Sequence, residues 1–166
     1  MKRILSLVLA CIFLTGCGHF APKDWYKDTL KYYEEGFGSD WKTERSDLRV
    51  CDEMKDKKYK FGYLIIDLDN DGTDELLLGF NEDGVTKFTD LYIWHSDIGA
   101  FRIVSSGYEY YMYLCDDNII REDSWYGSNT KTRYYKFISK DNALLNVDSG
   151  SLPRECELTY FSDTSN

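Results

Sequence analysis

Residues 61–67 read Phe-Gly-Tyr-Leu-Ile-Ile-Asp and residues 75–80 read Glu-Leu-Leu-Leu-Gly-Phe, two short runs in which apolar residues follow one another without polar alternation. Strands of this kind are buried on both faces. Turn residues bound each run, and the stretch between them is acidic and carries a glycine. The pair therefore reads as a central hairpin that needs a cover on each side.

What lies around the hairpin supplies candidates. Downstream, apolar and polar residues alternate over 88–94, 101–105, 108–114, 119–124, 130–138 and 144–148, with turn residues at 95–97, 116–118 and 140–142. Such spacing predicts an antiparallel meander, and 158–161 adds a last strand. Upstream, Pro22 opens a helical pattern that stops at Gly36, with Trp25, Thr29, Tyr32 and Tyr33 near one face and Lys27 and Lys31 turned away. A weaker helical segment spans 40–54, followed by a charged stretch over 55–60. The expected class is α+β, strand-dominated, with the N-terminal helix or helices packed on a β-meander whose first hairpin carries the acidic loop.

The first residues have a different purpose. Met1-Lys2-Arg3 precedes an apolar run over 4–14, about 11 residues, which matches the hydrophobic region of a secretory signal and is short for a membrane span. The run closes with Leu14-Thr15-Gly16-Cys17, which resembles the bacterial lipobox at every position. The resemblance implies cleavage after Gly16 and a diacylglycerol on Cys17. Residues 1–16 are then a signal peptide, 17–23 a lipidated tether and 24–166 one globular domain on the extracytoplasmic face of the cell membrane. Two acyl chains anchor stably where one is marginal.

Loss of Lys2 and Arg3 with the signal takes the formal charge from −9 to −11. So acidic a body excludes nucleic acid as a partner and is repelled by anionic lipid. Cys11 leaves with the signal and Cys17 is lipidated, so Cys51, Cys115 and Cys156 remain. Three thiols allow one disulfide at most, and one bridge or three buried reduced cysteines fit equally.

The chemistry-bearing segment is Asp67-Leu68-Asp69-Asn70-Asp71-Gly72-Thr73-Asp74-Glu75. Five carboxylates in nine residues repel one another unless a cation offsets them. Asp67, Asp69 and Asp71 stand at alternate positions before a glycine that permits a sharp turn, so the chain can curl and aim their oxygens inward. The expected ligands are Asp67, Asp69, Asp71, the carbonyl of Thr73 and Glu75, for one calcium ion taking six to eight oxygens. Magnesium, which keeps several waters, suits the set less well. Asp, Asn and Gly are ordinary turn residues too, but a turn needs one or two of them, and here acid stands at all four expected side-chain positions.

The segment resembles the first six positions of the EF-hand loop. It departs afterward, with Leu78 at the twelfth position and apolar strands where helices would flank. It is more similar to the nine-residue Asp-x-Asp-x-Asp-Gly-x-x-Asp/Glu calcium loops between strands of integrin-type propellers, and its single copy excludes a whole propeller. With the lipobox ahead and the meander behind, the chain resembles small lipoproteins of Gram-positive gut bacteria.

Nothing else marks an active site. His19 lies in the tether and His95 in a turn, with no second ligand at zinc spacing, and no nucleophile elbow, phosphate loop or dinucleotide fingerprint occurs. Tyr111 and Trp125, with Trp94 and the tyrosines of 108–113, form a possible ligand surface, although cross-strand packing also accounts for them. The expected function is a membrane-anchored lipoprotein with a calcium-stabilised, non-catalytic domain that binds a protein or glycan. The alternative is a cell-envelope hydrolase, or a hydrolase subunit, whose acidic site the sequence hides.

Overall fold

A computed structural model describes residues 22–42, 44–106 and 110–161. The signal, Cys17, His19 and most of the tether lie outside the described residues, as do Tyr108 and Glu109.

The chain enters through a short helical turn, α1 (Pro22–Trp25), and a helix, α2 (Lys27–Gly38). Nine strands follow: β1 (Phe61–Ile66), β2 (Glu75–Glu82), β3 (Val85–His95), β4 (Gly99–Ser105), β5 (Tyr110–Leu114), β6 (Ile120–Tyr126), β7 (Asn129–Ile138), β8 (Ala143–Val147) and β9 (Thr159–Tyr160). They form one sheet in the order β8-β7-β6-β5-β3-β2-β1-β9, with β4 also paired to β3, and every pairing is antiparallel. The class is α+β and strand-dominated, as expected. The central hairpin pairs Phe61 with Phe80, Leu64 with Leu77 and Ile66 with Glu75. Its last partner arrives late, because β9 docks on β1 with Gly62 opposite Tyr160.

Both faces of the hairpin are covered. On one, Leu76, Leu78, Phe80 and Tyr92 pack against Tyr26, Leu30 and Tyr33 of the helical segment and against Trp41 and Met54. On the other, Leu77, Leu91 and Ile93 pack with Met112, Leu114, Ile120, Phe137 and Leu158. Each fully buried leucine contributes about 1.5–3 kcal/mol relative to exposure, which makes these two layers the main support of the fold.

The second layer exists because the sheet curls. The other edge of β3 is divided: β4 takes residues 90–95, while β5 is paired only through Phe88 and Met112. A register shift between Leu91 and Tyr92 bends the strand there. Four strand spacings separate β7 from β2, about 19 Å on a flat sheet, yet the end of β7 touches the β1–β2 loop (Ser139 N to Asp69 Oδ2, 2.7 Å).

The helical segment differs from expectation in phase and extent. Its buried positions are Tyr26, Leu30, Tyr33 and Gly36, a stripe at helical spacing that includes only Tyr33 of the predicted face. The helix runs through Gly36 to Gly38. Gly36 lies beneath the Trp41 indole, where an added Cβ would stand 2.3 Å from Cζ3. Among the described residues of 40–54 no α-helix forms where one was expected. Asp40 and Trp41 take left-handed conformations (φ 52° and 56°) that turn the chain back, and only 3-10 turns form, at Ser46–Leu48 and Asp52–Lys55. Trp41 Nε1 then donates to the carbonyl of Met54 at 2.9 Å.

One ion pair is deeply buried on the helix-covered side. Asp90, 1% exposed, accepts from Arg102 at 3.1 Å and from the Thr89 hydroxyl at 2.9 Å. Burial pushes its carboxyl up to about 6 even though Arg102 pulls the other way.

Candidate metal centre

The acidic loop begins where β1 ends. Asp67 closes it on itself: one carboxylate oxygen accepts the N–H of Asp71 (3.1 Å) and the other that of Gly72 (2.8 Å), while Asp71 Oδ1 accepts the N–H of Thr73 (2.7 Å). Such side-chain-to-backbone bonds are how Asp shapes a turn. Asn70 (φ 61°) and Gly72 (φ 92°) supply the left-handed steps that bring alternate side chains to one side. One oxygen each from Asp67, Asp69 and Asp71 then lie within 4.8 Å of one another.

Three distant residues hold this loop. Ser139, which follows β7, donates its backbone N–H to Asp69 Oδ2 and its hydroxyl to Asp71 Oδ2, both at 2.7 Å. Asn118 in the β5–β6 turn donates to the carbonyl of Asp67 at 3.0 Å. Tyr26 donates its hydroxyl to the carbonyl of Asp74 at 2.8 Å. None of the three stands at a spacing that marks it in the sequence. They arrive through the curl of the sheet and the docking of the helical segment.

The electrostatics are those of crowded, uncompensated acids. The Ser139 hydroxyl holds the Asp71 carboxyl below its usual range. Burial, with Asp67 nearby, pushes Asp74 up. Glu75, the first residue of β2, is 1% exposed, and burial drives its carboxyl up to about 8, with Asp69, Asp71 and Asp67 adding repulsion. Its Oε2 accepts the N–H of Leu68 at 2.9 Å, which partly opposes that rise. Among the described residues no lysine or arginine forms an ion pair with these acids. Asp69 Oδ1 is sealed from solvent without a hydrogen-bond partner, an arrangement that is expensive unless a cation satisfies it.

Asp67, Asp69 and Asp71 are thus brought together in a group that could hold a metal ion. Thr73 and Glu75 sit beside that group, Thr73 with its N–H on Asp71 and Glu75 directly under the loop. A cleft of about 430 Å³ opens alongside, lined by Asp71, Glu75, Trp94, His95, Ser139 and Lys140 among others. His95, expected in the turn, is instead the last residue of β3, paired with Gly99, and its Nδ1 accepts the N–H of Asp97 at 3.3 Å.

The possible ligand surface lies elsewhere. Tyr111 and Trp125 meet at 75° with ring centroids 5.5 Å apart, so they form a corner and not a flat platform. The Tyr111 hydroxyl donates to Glu53, and the Lys87 ammonium stands 5.0 Å from its ring centroid. Trp125 is 37% exposed and Tyr126 61%. Trp94 is apart from them, stacked on Trp25 with centroids 5.9 Å apart. Cys51, Cys115 and Cys156 are free thiols.

The chain matches no protein-family model, and neither the curated proteins nor the solved structures compared with it give a match. Among the described residues no helix is long and apolar enough to cross a membrane.

Proposed function

We propose that this protein is a membrane-anchored extracytoplasmic lipoprotein, attached through lipid on Cys17, whose domain is stabilised by one calcium ion in the β1–β2 loop and binds a protein or glycan without catalysis. The observation that carries the calcium reading is the convergence of Asp67, Asp69 and Asp71, together with the buried, unpartnered Oδ1 of Asp69. These are hard oxygen donors, and a bound divalent cation would supply the positive charge that no lysine or arginine among the described residues brings to them in an ion pair. Ser139 ties two of the carboxylates to the far side of the curled sheet. The ion's role is therefore structural: it fixes the hairpin turn on which both core layers rest.

The non-catalytic reading draws support from the acids outside the loop. Asp90 pairs with Arg102, Asp123 with Arg121, Glu122 with Arg133, and Glu82 with Lys58 and Lys87. These carboxylates are matched in structural pairs and do not face one another across a cleft. Exposed aromatic surface at Trp125 and Tyr126 offers contact area for a protein or a sugar ring.

Calcium titration tests the central claim. Saturating calcium raises the melting temperature by about 5–10 °C, as expected for a ligand at roughly a hundred times its dissociation constant, and Asp67→Ala or Asp71→Ala abolishes the rise. A melting curve unmoved by chelation removes the ion from the account. Labelled fatty acid incorporated in cells and lost in Cys17→Ser tests the anchor, and cross-linking pull-down from intact cells tests for the ligand.

A further inference from the structure

The described chain starts beside the acidic loop. Trp25 of α1 stacks on Trp94 near the end of β3, and the next residue, Tyr26, donates to the carbonyl of Asp74. The β1–β2, β3–β4 and β7–β8 turns meet at this same end, since Asp71, Ser96 and Asn142 line one cleft. The opposite end of the hairpin, the turn at Asp83 and Gly84, is the length of β2 away, about 27 Å for eight residues.

Five residue steps separate Cys17 from Pro22, so the extended chain between them reaches at most about 18 Å. A lipid on Cys17 therefore keeps the loop end near the bilayer however the domain swings. The Asp83 end reaches the bilayer only if the domain lies down. The near end also carries groups suited to an interface. Ile98, at the tip of the β3–β4 turn, is 66% exposed. The half-buried indoles of Trp25 and Trp94 lie close by, and Lys140 is exposed on the β7–β8 turn. Indoles favour the headgroup layer, and with exposed Asp71, Asp97 and Asp141 around Lys140 this end suits zwitterionic headgroups and not anionic ones.

We infer that the end of the domain bearing Ile98, the β1–β2 loop and the β7–β8 turn is the surface it turns toward the phospholipid headgroups of its own membrane. The inference rests on lipid attachment at Cys17 and adds to it an orientation. Ile98 and the indole pair enter the headgroup layer, and the exposed Trp125 and Tyr126, outside that cleft, stay available to a soluble partner.

The test is amide exchange on the full-length lipoprotein in nanodiscs of phosphatidylcholine. It is compared with the same lipoprotein carrying a flexible insert of about 30 residues after Gly18, which lets the ends part by about 30 Å. With the native tether, amides in 95–99 and 69–73 exchange several-fold more slowly than in the lengthened chain, while those in 82–85 and 55–60 are unchanged. Ile98→Asp removes the slowing at 95–99 without moving the melting temperature. Equal exchange in the two chains at the loop end, or slowing confined to 82–85, overturns the inference. Mass analysis of the N-terminal peptide in the same sample reads the anchor separately: with acyl chains present, a negative result counts against the surface alone, and without them the anchor reading falls together with it.

Discussion

Ser139 donates its hydroxyl to Asp71 across 68 residues of sequence, and the 2.7 Å bond joins the end of β7 to a loop on the far side of the sheet order. The neighbouring bond from its backbone N–H to Asp69 doubles the connection. A side chain and a peptide group from one residue thereby decide how tightly the sheet closes over its second core layer.

Removing the hydroxyl breaks half of that connection. Ser139→Ala loses a hydrogen bond to a charged acceptor and keeps the backbone one. A loss of about 1–2 kcal/mol is expected, reduced from the full range for charged partners because Asp71 is exposed. Urea unfolding in chelator measures it. A change below a few tenths of a kcal/mol would show that the curl is held by Phe137 and its neighbours alone.

The Asp90 carboxyl gives stability a pH dependence opposite to that of most carboxylates. Its folded value, about 6, lies above its ordinary one because burial favours the neutral acid. Its contribution is therefore fully present below about pH 4 and is lost as pH rises through 6. Wild type minus Asp90→Asn should show this slope between pH 4 and 7 in unfolding free energies, because the amide retains an acceptor for Arg102 and does not titrate. A pH-independent difference would place the Asp90 titration outside that window.

Gly36→Ala should destabilise the protein even though alanine is the better helix former by about 1 kcal/mol. The added methyl would stand 2.3 Å from the buried Trp41 ring, and overpacking of this kind costs about 1–3 kcal/mol. The expected net is a lower urea midpoint with an unchanged slope. A raised midpoint would mean that Trp41 moves freely.

Tyr111 and Trp125 should separate under mutation. Tyr111 touches Phe80, Trp125, Glu53 and Lys87, so Tyr111→Ala is expected to cost about 3 kcal/mol. Trp125→Ala should cost about 1 kcal/mol or less and report on ligand capture without unfolding the domain. Capture unchanged in Trp125→Ala would remove this corner from the binding surface.

Local pattern carried far in this sequence, and long-range closure did not. The strands expected over 101–105, 130–138 and 144–148 appear as Gly99–Ser105, Asn129–Ile138 and Ala143–Val147, because alternation and turn residues act within a few positions. Asp67, Asp69 and Asp71 converge for the same reason: their spacing and Gly72 shape the loop from within. Ser139, Asn118 and Tyr26 were invisible as its supports, since nothing near them in sequence refers to residue 67. A glycine late in a helix signals a stop, whereas at Gly36 the missing side chain makes room for Trp41 and the helix runs on to Gly38. The segment over 40–54 offered helical composition, but left-handed Asp40 and Trp41 send it around the end of α2.

The docking of β9 on β1 sets an order of events in folding. β1, β2 and β3 can pair as soon as they are made, because their contacts are close in sequence. The outer edge of β1 has no partner until residue 160 reaches residue 62. A chain synthesised from its N-terminus thus carries a bare, apolar strand edge until residues 159 and 160 are made, the form in which one molecule's strand is open to another's. Truncation before Thr159 would make that transient exposure permanent and would also remove Phe161 from the core, so Thr159 and Tyr160 guard the edge of β1 against aggregation while the next residue supports the fold.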